Sequence, residues 1–162
     1  MTPEELRRRT FARAVKLLAA KPRSVAELRE RLLSGKGANE TVVEIVISRL
    51  KEYGYLDDER FAFSYASSKV KQRPIGRRRL QRDLKLKQVD NNVAEETLEL
   101  VYAETPEEQI IDRAIEKRIR LRGRPKSRAE AKSLFDHLLR QGFGFELVSE
   151  KVRSVTRYDD DP

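Results

Sequence analysis

Residues 73–87 read RPIGRRRLQRDLKLK, and the fold turns on whether this charged stretch is a connector or one copy of a repeated helix. Leu80 and Leu84 stand four residues apart, which places both on one face of a helix. At about 100° per residue, Arg78, Arg82 and Lys85 lie on the opposite side and Arg79 flanks the apolar stripe. Arg77 and Lys87 fall near its edge, where long stems cover apolar surface while the charges reach water.

The leucine pair recurs. Leu28 with Leu32, and Leu134 with Leu138, have the same spacing, so three blocks align on a period of about fifty residues. The third helix of each block repeats as well. Val42, Ile47 and Leu50 match Val93, Leu98 and Val101, and these match Leu147, Val152 and Val155. A one-residue shift in the first block is absorbed by the loop SGKG, Ser34 to Gly37. Helical spacing runs through almost the whole chain, with Gly and Pro in the gaps and no convincing strand alternation. The expectation is an all-α protein of nine helices in three tandem three-helix repeats. Residues 1–57 hold an N-terminal helix and repeat 1, 58–104 repeat 2 with the basic middle helix, and 105–156 repeat 3. Residues 157–162 are expected to form a disordered acidic tail. Three short helices bury little surface alone, so the repeats should stack in series into an elongated array.

Capping signals agree with these boundaries. TPEE at Thr2–Glu5 and again at Thr105–Glu108 offers a Thr cap, a Pro at the first helical position and a Glu that closes a capping box. Ser24 with Glu27 and Ser127 with Glu130 open middle helices, and Asn39, Asp90 and Gly144 open third helices. Gly54 is suited to end a helix in the left-handed conformation, and the acids Asp57 to Glu59 suit the start of the next.

The chain of 162 residues carries 35 Lys and Arg against 27 Asp and Glu, a net charge of +8. That balance points to a polyanionic or mosaic-charged partner rather than a small apolar ligand. Its distribution is banded. Nine bases and one acid fall between Lys69 and Lys87, eight acids and no base between Gln88 and Asp112, and eight bases and one acid between Arg113 and Arg128. The repeats supply a control for the first band. The positions of Arg78, Arg79, Arg82 and Lys85 are occupied in block one by Ala26, Glu27, Glu30 and Leu33, and in block three by Lys132, Ser133, Asp136 and Leu139. The scaffold therefore does not need this charge, and like charges on adjacent turns repel by a few tenths of a kcal/mol per pair. We read Arg77, Arg78, Arg79, Arg82, Lys85 and Lys87 as candidate contact residues. Arg118, Arg120, Arg122, Arg124 and Lys126 form a second candidate set. They straddle a helix end and a loop, so a flexible basic connector accounts for them equally well.

Catalytic signatures are missing. There is no phosphate-cradling glycine loop, HExxH pair or GxSxG elbow, and no cysteine for a disulfide, thiolate metal site or nucleophile. His137 is the only histidine and falls among Leu134, Leu138 and Leu139, in a packed or half-exposed structural role. Asp57 and Asp58 are explained by capping, and the aromatics around Phe61 and Tyr65 by packing. No enzyme and no cofactor are expected. No apolar run reaches the length of a membrane span, and a soluble, monomeric, cytoplasmic protein is expected.

GYLDDERFAFSYASSKV, running into RPIGRRRLQRDLK, resembles the signature region of the RecX regulatory family, modulators of the RecA recombinase. ELRERLL at 27–33 and LLRQGF at 138–143 also fit, so the resemblance spans essentially the whole chain. It implies a crescent of three three-helix repeats without a catalytic site. It also implies binding to the RecA filament on single-stranded DNA, inhibition of its recombinase, ATPase and coprotease functions, and restraint of recombination and the SOS response. Weak direct DNA binding would accompany this. The rival reading is an autonomous DNA-binding protein of helix-turn-helix type, which presents its final helix to the major groove. Glu95, Glu96 and Glu99, with no base on that helix of block two, argue against it.

Overall fold

A computed structural model describes residues 1–157, and every regular element among them is helical. The order is α1 (Pro3–Ala20), α2 (Val25–Leu33), α3 (Glu40–Glu52), α4 (Asp58–Gln72), α5 (Arg77–Leu86), α6 (Asn91–Glu104), α7 (Glu107–Arg122), α8 (Arg128–Arg140) and α9 (Phe145–Val155). The acidic tail expected at 157–162 lies, from residue 158 on, outside the described residues. None of these helices is long and apolar enough to cross a membrane.

The leucine pair is the centre of each block. Leu28, Leu80 and Leu134 are buried, as are Leu32, Leu84 and Leu138. On the third helices Val42, Ile47, Leu50, Leu98, Val101 and Val152 are buried as the spacing predicts, but in blocks two and three the first member of the stripe sits one residue later than expected. Ala94 and Val148 are the buried side chains there, and in block one Val43 is buried beside Val42, while Val93, Leu147 and Val155 are only half-buried. The shift adds a third buried turn position: Val46 and Thr97 are buried, and block three has Lys151 instead, half-buried and held by Asp112 at 2.9 Å and Glu108 at 3.2 Å.

By compactness the chain falls into two units, one of Met1–Ser64 with Leu84–Ala94, the other of Tyr65–Asp83 with the chain from Glu95 onward. The division passes through α4, α5 and α6. It groups the chain differently from the repeats, whose borders at 57/58 and 104/105 follow sequence period alone.

In the first unit α1, α2 and α3 pack on one another around Ala14, Leu28, Leu32, Val43, Ile47, Leu50 and Leu56. Thr2 and Glu5 form the expected capping box with Pro3 in the first turn. Ser24 and Asn39 cap α2 and α3 through the amides of Glu27 and Val42. In SGKG, Gly37 takes φ 72°, and the Arg13 guanidinium donates to the carbonyl of Arg31 at 2.9 Å, closing the C-terminal end of α2. Gly54 has φ 75° and ends α3 as its sequence position suggests.

The acids of the first junction divide their work. Asp57 accepts from the amides of Glu59 and Arg60 and so caps its own helix. Asp58 accepts from the amide of Val25 at 2.8 Å, capping α2 from 33 residues away. Ser24, fully buried, donates from its hydroxyl to the carbonyl of Lys87 at 2.7 Å.

The second unit repeats this arrangement with different atoms. Glu107 accepts from the amide of Arg77 at 3.1 Å and caps α5 as Asp58 caps α2. Here Thr105 does not cap α7 as the TPEE motif suggests; Pro106 holds that position and Glu107 turns to α5 instead. At the place of Ser24 stands Gly76, whose own amide donates to the carbonyl of Gln141 at 2.8 Å. Gly142 follows with φ 97° and its carbonyl accepts from Arg78 at 3.1 Å. The backbones come so close that a Cβ on Gly76 would meet the carbonyl group of Gly142, which is why neither position tolerates a side chain. The matching residue of the first unit, Gln88, has φ 60° and reaches Glu30 with its side-chain amide at 3.0 Å. Within this unit α7, α8 and α9 also pack on one another, with Leu134, Leu138, Phe143, Val148 and Val152 buried.

Candidate polyanion-binding surface

Helix α5 begins where Gly76, the Glu107 carboxylate and the Gln141 carbonyl hold its first turn. Leu80 and Leu84 then fix its rotation by going fully inside. With that rotation set, Arg78 and Arg82 face solvent, and Lys85 follows on the same stripe. None of the three makes a side-chain hydrogen bond or ion pair among the described residues. They are cations held by the backbone in a fixed row, without a carboxylate to neutralise them.

Two other candidates have structural duties. Arg77 is half-buried and ion-paired with Glu95 at 3.0 Å, and Glu95 also accepts from Gln81 at 3.2 Å. Arg79 is half-buried and donates to the side-chain oxygen of Gln141 at 2.7 Å. Sequence spacing placed both near the apolar edge, and that is where they sit; their partners come from α6 and from the end of α8, elements that spacing along one helix does not reveal. Lys87 lies beyond the helix, half-buried, with its carbonyl taken by Ser24.

Most of the second candidate set lies on a helix. Arg118, Arg120 and Arg122 belong to α7, which runs to Arg122 and is closed by Gly123 at φ 76°. In the loop, Pro125 is buried and its carbonyl accepts from the amide of Arg157, while the amide of Lys126 donates to Glu130 at 2.7 Å. Arg120, Arg122, Arg124 and Lys126 are exposed. Arg118 is half-buried and turns toward α8, 3.5 Å from the Ser133 hydroxyl. Burial, then the charges of Arg122 and Arg140, lower its pKa from the usual arginine value. His137 beside it is half-buried and its pKa is lowered, first by burial and then by Arg118, Arg140 and Arg122. It is half-exposed, as its sequence position indicates, among the positive charges of Arg118, Arg122 and Arg140.

The face opposite in sign lies on α6. Glu95, Glu96 and Glu99 are exposed there, so the third helix of block two presents acid, not base, to solvent. Among the described residues no group of His, Asp or Glu is arranged to hold a metal ion. The aromatics are split: Phe61 and Tyr65 are half-buried, whereas Tyr53 and Tyr55 are exposed and meet edge to face, as Tyr53 does with Phe11. The first pair is therefore partly packed away from solvent, and the second packs ring to ring at the surface.

Comparison with known proteins finds three-helix domains over the first two blocks. Residues 11–50 match the family model described as RecX, first three-helix domain, and residues 57–98 match RecX, second three-helix domain. The chain is 32% identical over 142 residues to the regulatory protein RecX of Chlorobium limicola, covering 87% of this chain and 86% of that one. It is 40% identical over 110 residues to its counterpart in Treponema pallidum, covering 68% of this chain and 66% of the other. With the Bacillus licheniformis protein it shares 30% identity over 151 residues, and spans only 57% of that relative's length. The crystal structure of RecX from Lactobacillus salivarius superposes with a TM-score of 0.81 at 19% identity, covering 92% of this chain and 96% of that one.

Proposed function

The chain belongs to the RecX family of regulatory proteins, and on that premise we propose that it binds the RecA filament on single-stranded DNA and inhibits its recombinase, ATPase and coprotease activities. In the cell this restrains recombination and the SOS response. The protein acts in the cytoplasm as a monomer, by binding alone and without catalytic chemistry or a cofactor. The observation that carries the reading is the row Arg78, Arg82 and Lys85: exposed, without a carboxylate partner among the described residues, and not repeated as a row in either sister helix, where Lys132 alone keeps a cation. A filament offers acidic protein surface and DNA phosphate side by side. A fixed row of cations is steered toward such a surface and set in register on it.

The decisive measurement is RecA ATPase on single-stranded DNA, with binding to bare DNA followed over a salt series. Inhibition at concentrations that leave bare DNA unoccupied is expected. Inhibition that appears only as bare DNA becomes covered would favour the autonomous DNA binder instead. The variant Arg78→Ala/Arg82→Ala/Lys85→Ala should keep wild-type helicity by circular dichroism, since none of the three is buried. It should need roughly tenfold or more protein for half-inhibition, the loss of about 0.5 kcal/mol or more per removed contact. Unchanged inhibition at limiting protein would end this assignment of the contact row.

A further inference from the structure

Within the second unit, the end of α4 and helices α5, α7 and α8 enclose a cleft of about 340 Å³. Arg73, Arg79, Lys117 and Arg118 line it, together with His137 and Gln141, and no carboxylate does. We infer that this cleft is a binding site for the phosphate group of a nucleotide, presented by a nucleic-acid strand whose neighbouring phosphates run along α5.

The case rests on where unpaired cations meet: Arg78 and Arg82 also lack a carboxylate but stand on an open helix face, whereas those of the cleft share one concavity. Arg77, Lys132 and Lys151 each have a carboxylate within 3.2 Å. The cleft cations do not. Arg79 gives one N–H to a neutral amide oxygen, Arg118 approaches only a hydroxyl, and neither Arg73 nor Lys117 has an ion pair among the described residues. Four cations from α5, α7 and the end of α4 therefore converge on a concavity without a counter-charge, a costly arrangement for a part that only has to fold. A phosphate supplies the missing charge, and guanidinium groups match its oxygens in pairs. The apolar part of the lining, Pro74 and Leu121, suits a sugar or base attached to that phosphate. The volume lies at the lower end of the range for small-ligand sites, ~300–1,000 Å³.

His137 reports on the site. It faces Arg118 and Arg122 of α7 and Arg140 of its own helix, and shares the cleft with Arg73, Arg79 and Lys117. The carboxylate beside it in sequence, Asp136, is paired with Lys132 at 3.1 Å. A bound anion favours the imidazolium, so the histidine pKa must rise on binding, and lower pH must tighten binding by the same coupling.

Because His137 is the chain's only histidine, its ring proton resonance can be followed in the intact protein without assignment. Titration with pyrophosphate should move that resonance to saturation and raise its midpoint by about half a pH unit or more, a threefold coupling. Arg73→Gln/Lys117→Gln should weaken the response at least about tenfold. Arg128→Gln/Arg153→Gln, which removes the same charge outside the cleft, should leave it unchanged. A resonance that ignores millimolar pyrophosphate, or that moves equally in sodium chloride of matched ionic strength, would overturn the site. Oligothymidylates with and without a 5′-phosphate then identify the source. A response to both indicates an internal phosphodiester and a response to the first alone a strand end, and either supports the inference. Silence toward both, with pyrophosphate still active, would overturn the nucleic-acid strand as the ligand. The strand assignment rests on the reading that this protein meets DNA, but the pyrophosphate titration does not involve RecA. A failed ATPase prediction and a failed cleft are therefore told apart.

Discussion

Gly76 shows how much one residue can carry in this fold. It stands where the first block has Ser24, and the two solve the same problem with different atoms. Ser24 spans the gap to the Lys87 carbonyl with a hydroxyl; Gly76 closes it, amide to the Gln141 carbonyl, by having no side chain. Gly76→Ala should therefore destabilise the protein well beyond an ordinary glycine substitution, by about 3 kcal/mol or more, since the backbone opposite cannot yield as a side chain could. Gly37→Ala is the control. That glycine has φ 72° and open space around its Cα, so only the cost of the left-handed conformation applies, about 1–2 kcal/mol. Urea denaturation of the two variants tests the ordering; equal midpoints would show that the close approach contributes nothing. A glycine before RRRL is visible in the sequence, but its reason is not, because the reason is a backbone some 66 residues away.

At the scale of helices, the caps written into the sequence are mostly found. Thr2, Ser24, Asn39 and Ser127 each accept from the amide three residues on. What sequence reading missed is that two acids serve helices other than their own. Asp58 and Glu107 stand in the first turns of α4 and α7, where local rules give them the role of favouring their own helix. Instead they accept from the amides of Val25 and Arg77. Asp58→Ala and Glu107→Ala should each cost about 1–2 kcal/mol, the loss of a helix cap with a charged acceptor. The effect belongs to α2 and α5, so amide exchange should quicken first in those helices. Exchange that quickens first in α4 and α7 would return both acids to the local role. The contact row on α5 was legible for a related reason: Leu80 and Leu84 set the helix's rotation, and helix rotation is what periodicity reports. The partners of Arg77 and Arg79, and the basic cleft, lay beyond that reach because each needs elements distant in sequence to meet.

For the molecule as a whole, repetition made the fold readable. A single amphipathic helix is ambiguous, but the same leucine pair three times, each followed by a matching third helix, admits little besides tandem helical blocks. The repetition also told apart what the scaffold requires from what it does not, which is how the α5 cations were separated from Leu80 and Leu84. Compactness, however, groups the chain across the repeats, with α4, α5 and α6 divided between two units. Stability in such an arrangement is local, a sum of blocks and their immediate neighbours. Leu28→Ala should thus cost about 2–5 kcal/mol and accelerate hydrogen exchange most among residues 1–64 and 84–94, while α8 and α9 retain more of their protection. Uniform acceleration throughout would mean that the chain opens as one cooperative whole.

The reach-back caps also give the chain a direction in time. During synthesis the amide of Val25 waits for Asp58, and Ser24 waits for the carbonyl of Lys87. Later, the amide of Arg77 waits for Glu107 and that of Gly76 for Gln141. Helices α2 and α5 are finished only when part of the following block has left the ribosome. Folding on the ribosome should therefore proceed as a ratchet from the N-terminus, each new block locking the one before it.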